Sequence, residues 1–166
     1  MSDIIVRSAR PEEFSAVGEL TVEAYRVSGY LDHDEGPAYA RSLRDAARRA
    51  EHGHLLVAVN GGDELLGTAT VIEPGSPLAE LCGETEAELR MVAVSPRARR
   101  RGVGETLTRA ALELAAERGA KRMVLSSARM MTAAHRLYER LGFDRVPSRD
   151  WYTDGGLHLL AFTKDL

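Results

Sequence analysis

From Leu89 to Val94 the chain is apolar and strand-favouring apart from Arg90. Ser95-Pro96 stops that run, Arg97, Arg99, Arg100 and Arg101 follow, and Gly102-Val103-Gly104 opens a stretch with apolar residues at helical spacing. A strand that feeds a basic, glycine-bearing turn and then a helix restricts the fold more than any other feature here. Such a turn leaves several backbone N–H groups unpaired at the positive end of a helix, and its glycines let a bulky anion approach the main chain. The segment therefore predicts a pyrophosphate-holding turn built from Arg99, Arg100, Arg101, Gly102, Val103 and Gly104. The phosphate loop of nucleoside triphosphatases needs a lysine after its last glycine, where Glu105 stands, and the dinucleotide fingerprint needs a small residue where Leu107 stands. Kinase, ATPase and nicotinamide-binding folds are thereby disfavoured. A well-capped surface turn has the same local pattern, so the reading needs a second signal.

The remaining elements follow from periodicity. Asp3 to Ser8 reads as a short strand, and Pro11-Glu12-Glu13 marks a helix start, since proline fits the first turn and acids favour its positive end. Phe14, Val17, Leu20, Thr21 and Ala24 give that helix one buried face. Tyr39 to Glu51 repeats at helical spacing, with Leu43, Ala46, Ala47 and Ala50 inward and its arginines on a solvated face. Leu55 to Val59 and Leu65 to Ile72 flank the hairpin turn Asn60-Gly61-Gly62-Asp63 and should pair antiparallel. Pro74 to Glu84 loses periodicity and reads as a loop. Glu88 to Val94 is a central strand, Gly104 to Glu117 a helix stopped by Gly119, and Met123 to Ser126 a buried strand. Thr132 to Leu141 is a helix and Leu157 to Thr163 a last strand. Two helices before the hairpin, with strands and helices alternating after it, predict a mixed, mostly antiparallel sheet flanked by helices on both faces. The class is α/β, or α+β by stricter accounting, and 166 residues suit one domain.

Composition narrows the partners. A formal charge of −3 gives no broad basic surface, so no nucleic-acid partner is expected. The single cysteine, Cys82, excludes an intrachain disulfide and a multi-cysteine metal site and fits a reducing cytosol. With neither a helix start nor a histidine beside it, Cys82 reads as a small packed side chain rather than a nucleophile. Met1 to Arg10 carries Asp3 and lacks the basic start and apolar run of a secretory leader, and no run of about 18 apolar residues occurs. A cytoplasmic protein that does not engage a membrane is expected. His52 and His54 lack a third ligand, so no metal is expected.

Two motifs together resemble the Gcn5-related N-acetyltransferases. The family's central motif, Arg/Gln-x-x-Gly-x-Gly/Ala after a strand, is matched at every fixed position by Arg99-Arg100-Arg101-Gly102-Val103-Gly104. Its second motif is an apolar helix ending in tyrosine, two or three residues, then Gly-Phe, and Ala134 to Phe143 matches it with Tyr138 and Gly142-Phe143. Motif separation and element order agree along nearly the whole chain, although the first half agrees in element order alone. The resemblance implies one N-acetyltransferase domain over residues 1–166. That domain would bind acetyl-CoA and transfer acetyl to a primary amine of a small molecule or peptide, by direct attack in a ternary complex. It further implies that the pantetheine arm lies along Val92, Ala93 and Val94. Backbone N–H groups from about Arg100 to Gly104 would hold the pyrophosphate, aided by one or two of the arginine side chains.

Amine acetylation needs an uncharged nitrogen, a polarised carbonyl and a proton for the departing thiolate. The resemblance points to Tyr138 as the proton donor, whereas by spacing alone it continues the apolar face of Ala134 and Leu141. Glu88 stands where several relatives carry a glutamate base, and Glu86 is the alternative on the same side by period two. A backbone N–H near Val92 would polarise the carbonyl. Met131 replaces an asparagine common in relatives, which removes one cofactor contact. Tyr25, Tyr30, Asp32, His33, Asp34 and Glu35 fall in the segment that, by resemblance, walls the acceptor pocket, where acidity suits a cationic amine. An exposed acidic loop is the simpler reading. Trp151 and Tyr152 either line that pocket or pack the sheet. Homodimers are common in the family, and no apolar stripe demands one. The alternative function is a non-catalytic acyl-CoA-binding regulatory module.

Overall fold

In the computed structural model residues 3–166 are described. Met1 and Ser2, the start of the segment read for a leader, lie outside the described residues. The hairpin strands β2 (His54–Val59) and β3 (Leu65–Ile72) pair antiparallel with Leu56 opposite Ala69. Alternation sends Leu56 and Ala58 to one face of the sheet and Leu55, Val57 and Val59 to the other, each set in its own apolar cluster. Both faces are therefore apolar and both must be covered. Helices α1 (Phe14–Val27), α2 (Gly36–Arg44) and α3 (Ala46–His52) cover one, and α4 (Val103–Glu117) and α5 (Thr132–Arg140) cover the other.

The sheet order is β1 (Ile5–Ser8), β2, β3, β4 (Glu86–Val94), β5 (Arg122–Ala128), β8 (His158–Asp165) and β6 (Asp144–Arg145), with β7 (Trp151–Tyr152) also pairing β8. Only β4 with β5 is parallel among the described pairs. This is the mixed, mostly antiparallel sheet that the element order predicts. In the turn between β2 and β3, Asn60 accepts the Asp63 N–H through its carbonyl at 3.0 Å and the Gly62 and Glu64 N–H groups through Oδ1 at 2.9 and 3.0 Å. The left-handed residue is Asp63, at φ 65°, rather than either glycine. No helix among the described residues is long and apolar enough to cross a membrane.

The stretch predicted as one helix from Tyr39 to Glu51 is two. Asp45, at φ −86° and ψ 67°, leaves helical backbone, and its carboxylate accepts the Arg48 N–H at 3.2 Å as the cap of α3. The break rephases the pattern, so that Ala46 and Arg49 turn inward while Ala47 is exposed. Arg49, expected on a solvated face, is 3% exposed.

Candidate active site

Strand β4 carries one residue more than its partner. Its register with β3 steps from Thr68 opposite Ala93 to Thr70 opposite Arg90, and Met91 takes φ 54°. This bulge reverses the alternation: Ala87 and Leu89 pack with α4, whereas Met91 and Ala93 pack with α1 and α2. Strand β4 pairs with β5 only where Glu86–Glu88 meets Arg122–Val124, after which the two part, β4 staying on β3 and β5 on β8. The wedge between them holds a cavity of about 530 Å³ that extends from Gly104 and Val94, past Val92 and Ser127, to Tyr138 and Tyr30.

Backbone groups edge one end of this wedge. Ser95 donates its N–H to Leu66 of β3 at 2.8 Å, and Ala93 faces Thr68 on the same side. By strand alternation Val92 and Val94 direct their N–H and C=O groups into the open wedge. Ala93 spends its backbone on β3 and its side chain in the α1 cluster. In the turn that follows, Arg100 at φ 65° and Gly102 at φ 78° swing the chain into α4. A Cβ at Gly102 would meet nothing within 4 Å, so glycine serves there for its backbone conformation. At Gly104 a Cβ would lie 3.4 Å from Leu137 and 3.6 Å from Val94, so a larger side chain would fill the mouth of the wedge.

Among the described residues no backbone acceptor takes the N–H of Arg99, Arg100, Arg101 or Gly102. The N–H groups of Val103, Gly104 and Glu105 open the helix, whose first internal bond runs from Thr106 to Gly102. The result is a cradle for an anion. The arginines divide as follows: Arg99 ties the turn to the end of α1 through Ser28 Oγ at 2.8 Å and the Ala24 carbonyl at 3.3 Å, and Arg97 pairs with Glu64. Arg100 and Arg101 lie exposed at the turn, and the Val103 side chain is buried in the core.

Aromatic rings line the other end. Tyr138 packs against Phe143 and Phe162 at 5.5 and 6.1 Å between centroids, and burial holds its phenol above the usual value, so it is protonated at neutral pH. Tyr25 meets Tyr30 edge-on at 5.9 Å and Tyr39 at 6.0 Å. Glu35 accepts the Thr153 hydroxyl, and Thr153 accepts the Leu157 N–H at 3.0 Å, which fastens the segment between α1 and α2 to the loop before β8. Tyr25, Tyr30, His33 and Glu35 all line the cavity; Asp32 and Asp34 do not. Trp151 pairs with Leu159 on β7 and lies off the wall, and Tyr152 stacks on His158 at 4.4 Å.

The carboxylates depart most from the sequence expectation. Glu88 is 0% exposed, and one of its oxygens receives the backbone N–H groups of Glu80, Leu81 and Cys82 at 2.8, 2.9 and 3.1 Å. It does not reach the cavity wall, and that oxygen is already taken by the three main-chain donors. Glu86 is bound by Arg149 at 2.8 and 2.9 Å, which lowers its pKa. Besides Glu35, the wall carries the carboxylate of Glu80, in the segment read only as a loop. Arg90 Nε lies 3.2 Å from it. Although 31% of its side chain is exposed, crowding raises the Glu80 pKa, with Arg90 opposing and the Glu88 charge adding. No motif or period in the sequence marks Glu80, because a tertiary bond to Glu88 places it. Burial pushes the Cys82 thiol up to about 11, and it too lies off the wall.

A parted sheet, an anion cradle at one mouth and a protonated tyrosine inside form one continuous site. The chain belongs to the Acetyltransferase (GNAT) family, whose sequence profile matches residues 14–143. It is 35% identical over 91 residues to a Bacillus subtilis (strain 168) protein named for N-acetylation of the alanine of ribosomal protein bS18, covering 52% of this chain and 60% of that one. N-acetylaspartate synthetase of Danio rerio is 35% identical over 74 residues, 45% of this chain and 26% of that one. The chain thus spans less than two thirds of the length of these relatives. A GNAT acetyltransferase from Staphylococcus aureus Mu50 superposes with a TM-score of 0.74 at 14% identity, covering 98% and 99% of the two chains. PaiA N-acetyltransferase from Thermoplasma acidophilum, solved with coenzyme A, gives 0.73 at 19% identity over all of both chains. These likenesses establish the fold. Acetyl-CoA is the usual cosubstrate of the family, and the unpaired N–H groups, the narrow glycine mouth and the free strand edge fit it.

Proposed function

We propose that this protein moves the acetyl group of acetyl-CoA to a primary amine of a small molecule or peptide, by direct attack within a ternary complex. One observation carries the reading: a single cavity runs from the unpaired N–H groups that open α4, past the free edge of Val92 and Val94, to Tyr138. The main chain from Arg100 to Glu105 holds the diphosphate, with the Arg100 and Arg101 side chains beside it. Val92 and Val94 pair with the amide arm as a neighbouring strand would. When bound, acetyl-CoA supplies an activated thioester. The Val92 N–H polarises its carbonyl oxygen, and Tyr138 gives the departing sulfur a proton.

Glu80 takes the proton of the amine, directly or through water, while Glu88 positions the loop that carries it. A raised carboxylate pKa matches that task better than the three-fold hydrogen-bonded Glu88 does. Tyr25, Tyr30, His33 and Glu35 supply an aromatic, acid-bearing wall for a cationic amine. Direct attack is favoured over an acyl-enzyme because the single thiol, Cys82, is off the wall and protonated at neutral pH. A screen over amines, aminoglycosides, amino acids and peptides, following release of the coenzyme A thiol, should find acetyl-CoA-dependent turnover. Failure of acetyl-CoA to bind at all would overturn the reading.

A further inference from the structure

Arg49 is almost wholly buried, yet no carboxylate forms an ion pair with it among the described residues. Its Nη1 donates to the carbonyls of Ser42 and Leu43 at 3.0 and 2.9 Å, whereas Nε and Nη2 are buried without a partner. Burial lowers its pKa, with Tyr25 and Tyr39 opposing, the Arg90 charge adding and Asp45 opposing more weakly. A guanidinium left in this state is costly, and the carbonyls at the end of α2 satisfy only one of its three nitrogens. The two unanswered nitrogens form the side of the guanidinium whose parallel N–H groups donate to a carboxylate or phosphate bidentately.

Arg49 lines a second pocket of about 440 Å³ that shares Tyr39, Ser42, Glu80, Arg90 and Met91 with the main cavity. Arg90 stands inside it and Arg41 and Arg48 at its exposed rim, against only Asp45 and Glu80. Asp45 already caps α3, and Glu80 faces Arg90. The pocket therefore carries an excess of positive charge beside the proposed base. We infer that it is the anion subsite for the acceptor: the amine acetylated by this protein also bears a carboxylate or phosphate, which Arg49 binds while the amine lies toward Glu80 and Tyr138. This inference rests on the proposed transfer reaction.

Inorganic phosphate and succinate are suitable probes, titrated at constant ionic strength into protein saturated with acetyl-CoA so that the α4 turn is already filled. At least one should raise the melting temperature saturably. Arg49→Met, which keeps an unbranched apolar stem and removes the guanidinium, should lose that response, and Arg90→Gln should weaken it by about tenfold, as loss of one charge-assisted contact does. A response to succinate alone identifies a carboxylate-bearing acceptor, to phosphate alone a phosphate-bearing one, and to both the shared oxyanion chemistry. The subsite is overturned if neither probe shifts the acetyl-CoA complex, or if both variants respond as the wild type does. If Arg49→Met fails to fold, Arg90→Gln alone decides the comparison. Absence of any shift by acetyl-CoA itself would instead strike the transfer reaction.

Discussion

Glu88 accepts the backbone N–H of Glu80 at 2.8 Å, so a carboxylate on the cavity wall is held by one that never reaches it. The same Glu88 oxygen takes the N–H groups of Leu81 and Cys82, which pins a bend that has no regular structure of its own. A buried charge here does what a helix or strand does elsewhere, and Arg90 completes the frame from β4 with an ion pair to Glu80 and a bond to the Leu78 carbonyl at 3.1 Å.

Glu80→Gln and Glu88→Gln separate the two roles. Because burial raises the Glu80 pKa above its ordinary value of 4.5, its basic form is lost as pH falls through that raised value. Wild-type kcat/KM should therefore drop on the acid side. Glu80→Gln should lower kcat/KM by about 100-fold near neutrality and remove that limb of the profile. Glu88→Gln should cost about 1–3 kcal/mol of stability by weakening charge-assisted bonds, and should lower kcat while leaving the acid limb in place. The reverse pair of pH profiles would return the base role to Glu88.

What is legible in the sequence has local causes. Gly102 answers to a backbone dihedral within its own turn, and Tyr138 and Gly142-Phe143 lie within one short motif. The bulge at Met91 is different: methionine has no preference for φ 54°, and the conformation comes from the β3 register on one side and the departure of β5 on the other. Arg49 escapes because a helical period carried unbroken across Asp45 points it outward, although an aspartate inside a helical run is itself a capping signal. Trp151 depends on a two-residue strand that exists only because β8 is beside it. Nothing local records that.

Gly104→Trp tests the cradle. At a hundred times its dissociation constant acetyl-CoA should stabilise the wild type by about 2.7 kcal/mol, a rise of roughly 5–10 °C for a domain of this size. The variant should show no rise, since even a Cβ at this position lies 3.4 Å from Leu137 and the indole would occupy the mouth of the wedge. Circular dichroism should confirm an unchanged fold. A wild-type shift in the variant would place the diphosphate elsewhere.

Tyr138→Phe removes one oxygen and keeps the ring between Phe143 and Phe162. Turnover should fall by about 100-fold or more, as expected for loss of a proton donor, while the thermal shift with acetyl-CoA stays at the wild-type value. That split between kcat and cosubstrate affinity distinguishes chemistry from packing. Equal turnover would reduce Tyr138 to a core residue.

Far from the cavity, Glu13 joins β1 to the entrance of α1. It receives Arg7 end-on through Nη1 and Nη2 at 2.9 and 2.8 Å and the Arg10 N–H at 2.8 Å, and the bond to Arg7 brings its pKa down from 4.5 to about 2. The folded state thus binds its proton less readily than the unfolded chain. The stabilisation is complete above pH 4.5 and is lost as pH falls toward about 2. Glu13→Gln should therefore be less stable than the wild type by about 1–3 kcal/mol at pH 7, and urea melts should show that gap closing through the same acid window. A gap that persists unchanged into strong acid would mean that shape, rather than charge, holds this corner together. Acetyl transfer at neutral pH should be unaffected, because Glu13 forms no part of the cavity wall.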